Sequence, residues 1–315
     1  MIVWNGTDRY PSDSARVVAS IGNYDGVHIG HRAILEKVVD EARSKKLLSL
    51  LITFDPHPLS IVAPDRTPRL LQTREQKFEA LSEIGLDGIL IVQFTPEIAA
   101  LTGDVFFHEI LDGRVSFEAI HVGETFRFGA SRSGDHNTLR ELGVQRGFTV
   151  HGVSPILFDG LTVSSSTIRA AVAEGNVNLV RRLLGRPFAI HGEVVRGDGR
   201  GRTLHFPTAN LDVENDLIPA RGVYVTQSAL DGTWLPSVTN VGVRPTFEGR
   251  QLVVETHIID FDRDIYDSRL EVRFLDRIRD EMAFESPTEL GDQIARDRAA
   301  AESYFQNLIL HPSSQ

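Results

Sequence analysis

Two different spacings of apolar residues follow each other along the chain. In the first half, short apolar runs typical of strands alternate with segments in which apolar residues recur every three or four positions, as on one face of a helix. The predicted strands are 17–21, 47–54, 88–94, 117–122 and 148–153, and the predicted helices are 34–42, 74–84, 103–111 with Thr102 as N-cap, and 139–146. Strands that alternate with helices form a parallel sheet covered on both faces, which is an α/β fold. Its ligands bind at the carboxyl ends of the strands.

Beyond about residue 185, strand patterns are joined by tight turns. The strand candidates are 188–196, 223–230, 233–241, 252–259 and 269–275. The dipeptide Asp231-Gly232 between two of them is a strong hairpin signal. This pattern predicts a small antiparallel β-barrel.

One predicted helix separates the two patterns and another closes the chain. Asn176 caps the first, at 179–184, and Gly185 ends it. Ser286-Pro287-Thr288-Glu289 combines a capping box with proline at the first position of the second. We therefore predict an α/β domain over 1–185 and a barrel domain with a terminal helix over 186–315.

The composition is that of a globular protein and excludes several kinds of site. The 315 residues suffice for two domains, and a net charge of −10 opposes broad binding to nucleic acid. There are no cysteines, which excludes disulfides and thiolate sites and fits a reducing cytoplasm. No apolar run approaches the ~20 residues of a membrane span, and no signal-peptide pattern is present. We expect a cytoplasmic protein whose partners are small-molecule substrates, without nucleic acid or membrane.

A glycine-rich turn between the strand at 17–21 and the first helix carries the first candidate chemistry. It reads Gly22-Asn23-Tyr24-Asp25-Gly26-Val27-His28-Ile29-Gly30-His31. Glycines let the backbone approach a ligand, and the unpaired N–H groups and dipole at a helix N-terminus attract phosphate. His28 and His31 can donate ring N–H groups to the same anion. An ordinary turn with two solvated histidines is the alternative.

This turn resembles the His-x-Gly-His signature of nucleotidyltransferases, and with its lead-in it resembles the adenylyltransferase half of bacterial bifunctional riboflavin kinase/FAD synthetases. The resemblance implies a Rossmann-like domain in which His28 and His31 bind ATP phosphates and stabilise the leaving pyrophosphate. Residues 163–169 resemble the family's Ser-Ser-Thr-x-x-Arg segment, although serines at a helix start are often only caps. The implied ATP-binding residues are Gly22, Tyr24, Asp25, Gly26, His28, Gly30, His31, Ser165, Ser166 and Arg169.

Two further strand ends resemble segments of the same family that hold the flavin end of FMN. They are Phe54-Asp55-Pro56-His57-Pro58 and Gly123-Glu124-Thr125-Phe126-Arg127-Phe128-Gly129. Taken alone, His57 is equally a loop histidine held by local hydrogen bonds. The family usually has Asn or Asp where this chain has Thr125. The implied FMN-binding residues are Phe54, His57, Pro58, Thr125 and Phe128.

Three segments of the second domain resemble riboflavin kinase motifs. In 197–210, a Gly/Arg loop precedes Phe-Pro-Thr-Ala-Asn, and the resemblance implies that Thr208 and Asn210 serve the magnesium of MgATP, an ion that prefers oxygen ligands. Residues 238–246 resemble a second motif. Val254-Glu255-Thr256-His257 resembles a third, whose glutamate is the catalytic base. The implied ATP-binding residues of the kinase are Gly197, Gly199, Arg202, Pro207, Thr208, Asn210 and Asn240.

Strand alternation puts Glu255 and His257 on one face, where a solvated outer carboxylate is the alternative to a catalytic one. The family usually has Gly at the position of His205. Together the motifs, over about 18–298, imply ATP-dependent phosphorylation of riboflavin to FMN and adenylylation of FMN to FAD with release of pyrophosphate. The implied catalytic residues are Glu255, His28, His31 and Arg169, with Mg²⁺ as cofactor and ATP, riboflavin, FMN and FAD as substrates or products.

Two other functions stay open. A different His-x-Gly-His nucleotidyltransferase, acting on a pantetheine or nicotinamide phosphate, would leave the second domain unexplained. A flavin-binding regulator that has lost turnover is suggested only by Thr125 and His205.

Overall fold

The computed structural model describes residues 1–11, 15–197, 206–246 and 249–310. Its contacts divide the chain into a first unit, Met1–Leu70 with Arg74–Ser165, and a second unit, Leu71–Thr73 with Ser166–Gln315. Residues 166–185 therefore pack with the second unit, upstream of the predicted boundary at 185. Where the two activities divide stays a prediction.

The first unit is built on a parallel sheet, as the pattern predicts, and this sheet has six strands. The strands of the whole unit are β1 Ile2–Asn5, β2 Val17–Ile21, β3 Leu48–Asp55, β4 Gly88–Gln93, β5 Phe117–Gly123, β6 Arg127–Phe128, β7 Gly134–Asp135, β8 Thr149–Val153, β9 Leu157–Phe158 and β10 Leu161–Thr162, of which β6 pairs with β7 and β9 with β10 outside the six-stranded sheet. Its helices are α1 Ile29–Lys45, α2 Pro58–Val62, α3 Arg74–Ser82, α4 Pro96–Ala100, α5 Gly103–Phe106 and α6 His136–Arg146, and α7 Ser165–Ala173 begins at its last residue. The sheet order is β1-β4-β3-β2-β5-β8. β1 was not predicted because it is short, with two of its four residues exposed.

The two faces of this sheet bury separate apolar clusters. On one face, Leu35, Val38 and Val39 of α1 pack with Val18 and other strand residues. The opposite face carries a second cluster rich in phenylalanine. The apolar residues of α1 therefore explain both its length and its place on the sheet.

Two predicted details of the first unit differ from the structure. The helix predicted at 103–111 is α-helical only to Phe106 and continues as a π-helix, Phe107–Leu111. Thr102 stands at the N-cap position but makes no side-chain cap, because its hydroxyl donates to Asp104 Oδ1 at 2.7 Å. α6 begins earlier than predicted because Asp135 forms a capping box with Thr138.

The second unit is a closed antiparallel barrel with helices on its outside, as predicted. Its strands are β11 Phe188–Val195, β12 Ala209–Val213, β13 Gly222–Leu230, β14 Thr233–Thr246, β15 Gly249–Ile258 and β16 Arg269–Arg279, and its helices are the rest of α7, α8 Val177–Leu184 and a terminal helix α9, Pro287–Leu310. The barrel order is β11-β12-β15-β14-β13-β16. The predicted hairpin forms at Asp231 and Gly232, which adopt φ angles of 50° and 77°. β12 was not predicted.

Helices pack on the outside of the barrel through apolar side chains. α8, capped by Asn176 as predicted, buries Val177, Val180, Leu183 and Leu184 and contacts β11 and β16. At the start of α9, Ser286 Oγ accepts from Glu289 N–H at 3.2 Å, but the Glu289 carboxylate accepts from Glu285 N–H. The predicted capping box therefore forms only in half.

Five buried hydroxyl groups form one hydrogen-bonded row in the barrel interior. The row runs Ser228, Ser237, Thr226, Thr239, Thr256, with oxygen separations of 2.8 to 2.9 Å. All five residues are 0% exposed. The row satisfies polar groups that would otherwise destabilise the core.

Among the described residues, no helix combines the length and apolar character that crossing a membrane requires.

Candidate active sites

The histidine loop, residues 22–31, joins β2 to α1 and pairs its two histidines. His28 is the N-cap of α1, and its Nδ1 accepts a hydrogen bond from His31 N–H at 3.1 Å. A neutral His28 ring therefore carries its proton on Nε2. The His28 and His31 rings stack with centroids 3.6 Å apart, and the Tyr24 ring lies 4.6 Å from that of His31.

The His31 side chain is half-buried, and its ring is neutral in this arrangement. Burial first, then the nearby His28 and Lys77, hold its pKa well below the ordinary value. Its Nδ1 has no hydrogen-bond partner among the residues that the structure describes. A buried polar atom without a partner is costly unless something else satisfies it.

The glycines of the histidine loop also serve the conformation of the loop itself. Gly26 has a φ of 87°, which favours glycine. A Cβ at Gly22 would lie 3.0 Å from the Tyr24 ring, and one at Gly30 would lie 3.2 Å from the His28 ring. Gly22 and Gly30 thus make room for side chains of the loop itself.

The two segments predicted to hold FMN lie at strand ends of the first unit. His57 caps α2 by accepting from Leu59 N–H at 3.2 Å, and its Nε2 lies 3.3 Å from Asn23 Nδ2 in the histidine loop. The Phe54 and Phe128 rings lie 5.9 and 6.3 Å from the Phe106 ring between them. Pro58 is the first residue of α2, and Thr125 lies in an exposed turn after β5.

The serine segment begins α7. Ser165 Oγ donates to the Asp25 carbonyl oxygen at 2.9 Å, which connects this segment to the histidine loop within the first unit. Ser166 is exposed and Arg169 is half-buried one turn later on the helix. Residues three apart on a helix share a face.

In the second unit, three polar residues form a row across neighbouring strands. Asn210 of β12 is paired with Glu255 of β15, which is paired with Asn240 of β14. Directly paired residues project to the same face of a sheet. Since Val254 and Thr256 are buried on the inner face, the row lies outside the barrel. Arg244 Nη2 lies 3.3 Å from Glu255 Oε1 and 3.4 Å from Asn210 Oδ1.

His257 makes a backbone contact that the sequence did not predict. Its Nδ1–H donates to the Pro207 carbonyl oxygen at 2.8 Å, and its ring meets that of Phe206 edge-on. Burial lowers its pKa. The Glu-Thr-His segment therefore contacts the Phe-Pro-Thr-Ala-Asn segment through His257. Thr208 of the latter segment is half-buried and lies just before β12.

Gly197 packs against the Asn210 side chain. A Cβ at Gly197 would lie 2.3 Å from Asn210 Nδ2, so a larger residue would displace that amide. Gly199, Arg202 and His205 lie outside the described residues.

A second cluster in the first unit contains residue types that bind metals: Glu41, His121 and His151. Glu41 Oε2 accepts from His121 Nε2–H at 2.5 Å, and Oε1 pairs with Lys45 Nζ at 2.9 Å. Burial alone would raise the pKa of Glu41, but the hydrogen bonds from Lys45 and His121 outweigh burial and lower that pKa. His151 Nε2 lies 3.8 Å from Glu41 Oε2, and the buried His121 Nδ1 has no hydrogen-bond partner among the described residues.

Comparison with known proteins gives matches on both halves of the chain. Residues 10–167 match the family model for FAD synthetase, and residues 184–305 match that for riboflavin kinase. A bifunctional riboflavin kinase/FMN adenylyltransferase from Escherichia coli (strain K12) is 39% identical over 289 residues, which cover 91% of this chain and 92% of that protein. The protein of the same description from Pseudomonas fluorescens is 39% identical over 287 residues, covering 91% and 92%.

A solved structure is also similar over nearly the full length. It is described as a macrolide-efflux protein from Streptococcus pneumoniae, with a TM-score of 0.87 and 29% sequence identity. The match covers 96% of this chain and 99% of that one.

Proposed function

The chain belongs to the family of bifunctional riboflavin kinase/FMN adenylyltransferases, and from that premise we propose which residues carry each reaction. The protein phosphorylates riboflavin to FMN and adenylylates FMN to FAD. The observation that carries this conclusion is the presence of both family matches, 10–167 and 184–305, in one chain. A different nucleotidyltransferase would leave the kinase match unexplained.

We assign adenylyl transfer to the histidine loop of the first unit. The assignment is supported by the Nδ1 atom of His31, which is buried without a partner among the described residues in a ring stacked on His28 at the start of α1. An oxygen of the FMN phosphate attacks the α-phosphorus of ATP, and the bond from that phosphorus to the departing pyrophosphate breaks. The two imidazoles hold the phosphates and stabilise the charge that develops on pyrophosphate, because preorganised donors act without reorganising.

Other residues of this site position its two substrates. We propose that the serine segment, with Arg169, binds phosphate oxygens, since a guanidinium forms paired hydrogen bonds with them. We also propose that Asp25 and Ser165 belong to the ATP site. Their contact at 2.9 Å supports this proposal. The proposed FMN contacts are Phe54, His57, Pro58, Thr125 and Phe128.

We assign riboflavin phosphorylation to the polar row on the barrel. Glu255 takes the proton of the ribityl 5′-hydroxyl, whose oxygen attacks the γ-phosphorus of ATP while the bond from that phosphorus to ADP breaks. The Arg244 contact supports this role, because a guanidinium nitrogen 3.3 Å from Oε1 orients the Glu255 carboxylate. We propose that Asn210 and Asn240, which are paired with Glu255 on the neighbouring strands, orient the nucleotide.

Magnesium fits the oxygen donors of this row. We propose that Thr208 and Asn210 hold Mg²⁺ beside the Glu255 carboxylate, since hydroxyl, amide and carboxylate oxygens are its usual protein ligands. When bound, the ion offsets the negative charge of the ATP phosphates. Asn210 is kept in place by Gly197 and Arg244.

Asn210→Ala tests the magnesium proposal. We expect the Mg²⁺ concentration for half-maximal FMN formation to rise by about 10-fold, which is the scale of effect from disturbing a metal site. The measurement is a Mg²⁺ titration with riboflavin as substrate. Asn178→Ala, at an exposed position of α8, is the matched control. An unchanged requirement in Asn210→Ala would assign the ion to other residues.

Riboflavin, FMN and ATP are the substrates of this protein. We further propose that it works in the cytoplasm, which the consumption of ATP by both reactions supports. A lack of nucleic-acid partners is proposed on the net charge of −10.

The division of the two activities is tested by truncation. A fragment of residues 166–315 is expected to fold and to make FMN but no FAD. A fragment that starts at 184 loses Val177, Val180 and Leu183 of α8, whose burial stabilises by about 1.5–3 kcal/mol each, and should unfold at lower temperature. Chromatography of flavins and thermal unfolding are the measurements. If the longer fragment folds but fails to bind riboflavin, the kinase is not contained in the second unit.

A further inference from the structure

We propose that Lys77 is a positioning residue for adenylyl transfer, whose ammonium group holds the histidine loop in the conformation that receives ATP. The inference rests on the proposed assignment of that reaction to the histidine loop. Lys77 lies on α3 and was not singled out by any sequence pattern.

The ammonium group of Lys77 is bonded directly to the loop. Its Nζ donates to the Asn23 carbonyl oxygen at 2.6 Å and to Thr53 Oγ1 at 2.9 Å. The Thr53 hydroxyl in turn donates to the same Asn23 oxygen at 3.3 Å. Helix α3, strand β3 and the loop are thereby joined at one carbonyl group.

The loop requires an anchor at this place because its backbone is strained. Tyr24, which follows Asn23, has a φ of 53°, and the β-branched Val27 has a φ of 39°. Non-glycine residues with such angles cost about 1–3 kcal/mol each and persist only where the surroundings hold them. The Lys77 bond acts on the peptide group that leads into the first of these residues.

The charge of Lys77 also acts on the groups around it. Burial lowers its pKa to about 8, against the effect of Asp25 and Asp55, and Arg74 lowers it further. The ammonium is one of the groups, after burial and His28, that keep His31 neutral. Asp25 is only 8% exposed, and a carboxylate at such a position is stabilised by a nearby cation.

The test uses Lys77→Met in the full chain, which keeps the length of the side chain and removes its charge and donors. We expect kcat/KM for FAD formation from supplied FMN to fall by about 10²-fold, the scale expected when reacting groups are displaced by about 1 Å. The loss should include a higher KM for ATP. FMN formation from riboflavin, measured on the same preparation, should stay at the wild-type rate. Lys37→Met, on the exposed side of α1, should change neither.

Two pH measurements separate this role from a merely structural one. The His31 ring, followed by NMR and assigned with His31→Ala, should titrate at higher pH in Lys77→Met. The reason is that the substitution removes a positive charge that lowers the pKa of His31, while His28 and the Tyr24 ring remain its neighbours. In the wild type, FAD formation should decline above pH about 8, as Lys77 loses its proton. Lys77→Arg stays charged at higher pH and should lessen that decline.

Each outcome has a distinct meaning. A wild-type rate of FAD formation in Lys77→Met, with His31→Ala impaired, overturns the role of Lys77 alone. Wild-type rates in both variants overturn the assignment of the histidine loop. If Lys77→Met does not fold, Thr53→Val decides, because it removes one acceptor of Lys77 while keeping the charge. It should slow FAD formation several-fold, and an unchanged rate would overturn the proposal.

Discussion

Glu255→Gln is expected to lower the turnover of riboflavin phosphorylation by about 10²- to 10⁴-fold, with riboflavin and ATP binding largely retained. The amide has the shape of the carboxylate and can still accept from Arg244, but it cannot take the proton of the attacking hydroxyl. The measurement is the rate of FMN formation by chromatography, together with substrate binding. FAD formation from supplied FMN should continue in this variant, because we propose a separate ATP site at the histidine loop for adenylyl transfer.

Glu193→Gln is the matched control for this prediction. Glu193 is an exposed carboxylate on the barrel strand β11. A change at such a position alters stability by no more than about 0.5 kcal/mol and should leave both activities intact. If Glu255→Gln behaves in the same way, Glu255 is a solvated surface carboxylate without a catalytic role. The proton is then accepted by another residue, or the reaction uses no protein base.

His31→Ala should slow FAD formation from FMN by about 10- to 1000-fold, the range seen when one preorganised donor is removed. FMN formation should stay close to the wild-type rate. His28→Ala should give a loss in the same range, but it also removes the cap of α1, which contributes about 0.5–2 kcal/mol. His31→Ala is therefore the cleaner variant, with pyrophosphate release as the assay.

An exposed histidine of the same unit provides the comparison. His151→Ala, at a residue whose side chain is 47% exposed, should leave FAD formation unchanged. Equal loss of both activities in His31→Ala would mean that the substitution damages the protein as a whole or that the two reactions share a site.

The sequence was sufficient to predict a strand or helix where one periodicity of apolar residues runs through the whole element. The apolar run 47–54 and the helical spacing from Leu35 to Ala42 correspond to β3 and α1, because burial on a sheet imposes these periods. Alternation also puts Glu255 on the outer face of its strand. β12 is only five residues long, and its pairing with β11 and β15 depends on residues far away in sequence.

Hydrogen bonds from side chains to the backbone could not be predicted from the sequence pattern. Lys77 binds the carbonyl of Asn23, and His257 binds that of Pro207, and no side-chain spacing marks a carbonyl group as an acceptor. The glycines of the histidine loop illustrate the same limit. Their positions suggested a ligand, which stays a prediction, and the pattern did not show that Gly22 and Gly30 also accommodate rings of their own loop.

The row of hydroxyl groups inside the barrel has a consequence for how this protein tolerates sequence change. Replacing Thr239 by Val removes the partner of the Thr256 hydroxyl in this row, at a cost of about 1–3 kcal/mol for an unsatisfied buried group, whereas Thr226 keeps its bond to Ser237. Replacing both partners of a bond by apolar residues of the same shape is nearly neutral. Among relatives, substitutions at Thr239 and Thr256 should therefore co-vary, and a library of barrel variants should recover paired changes far more often than single ones.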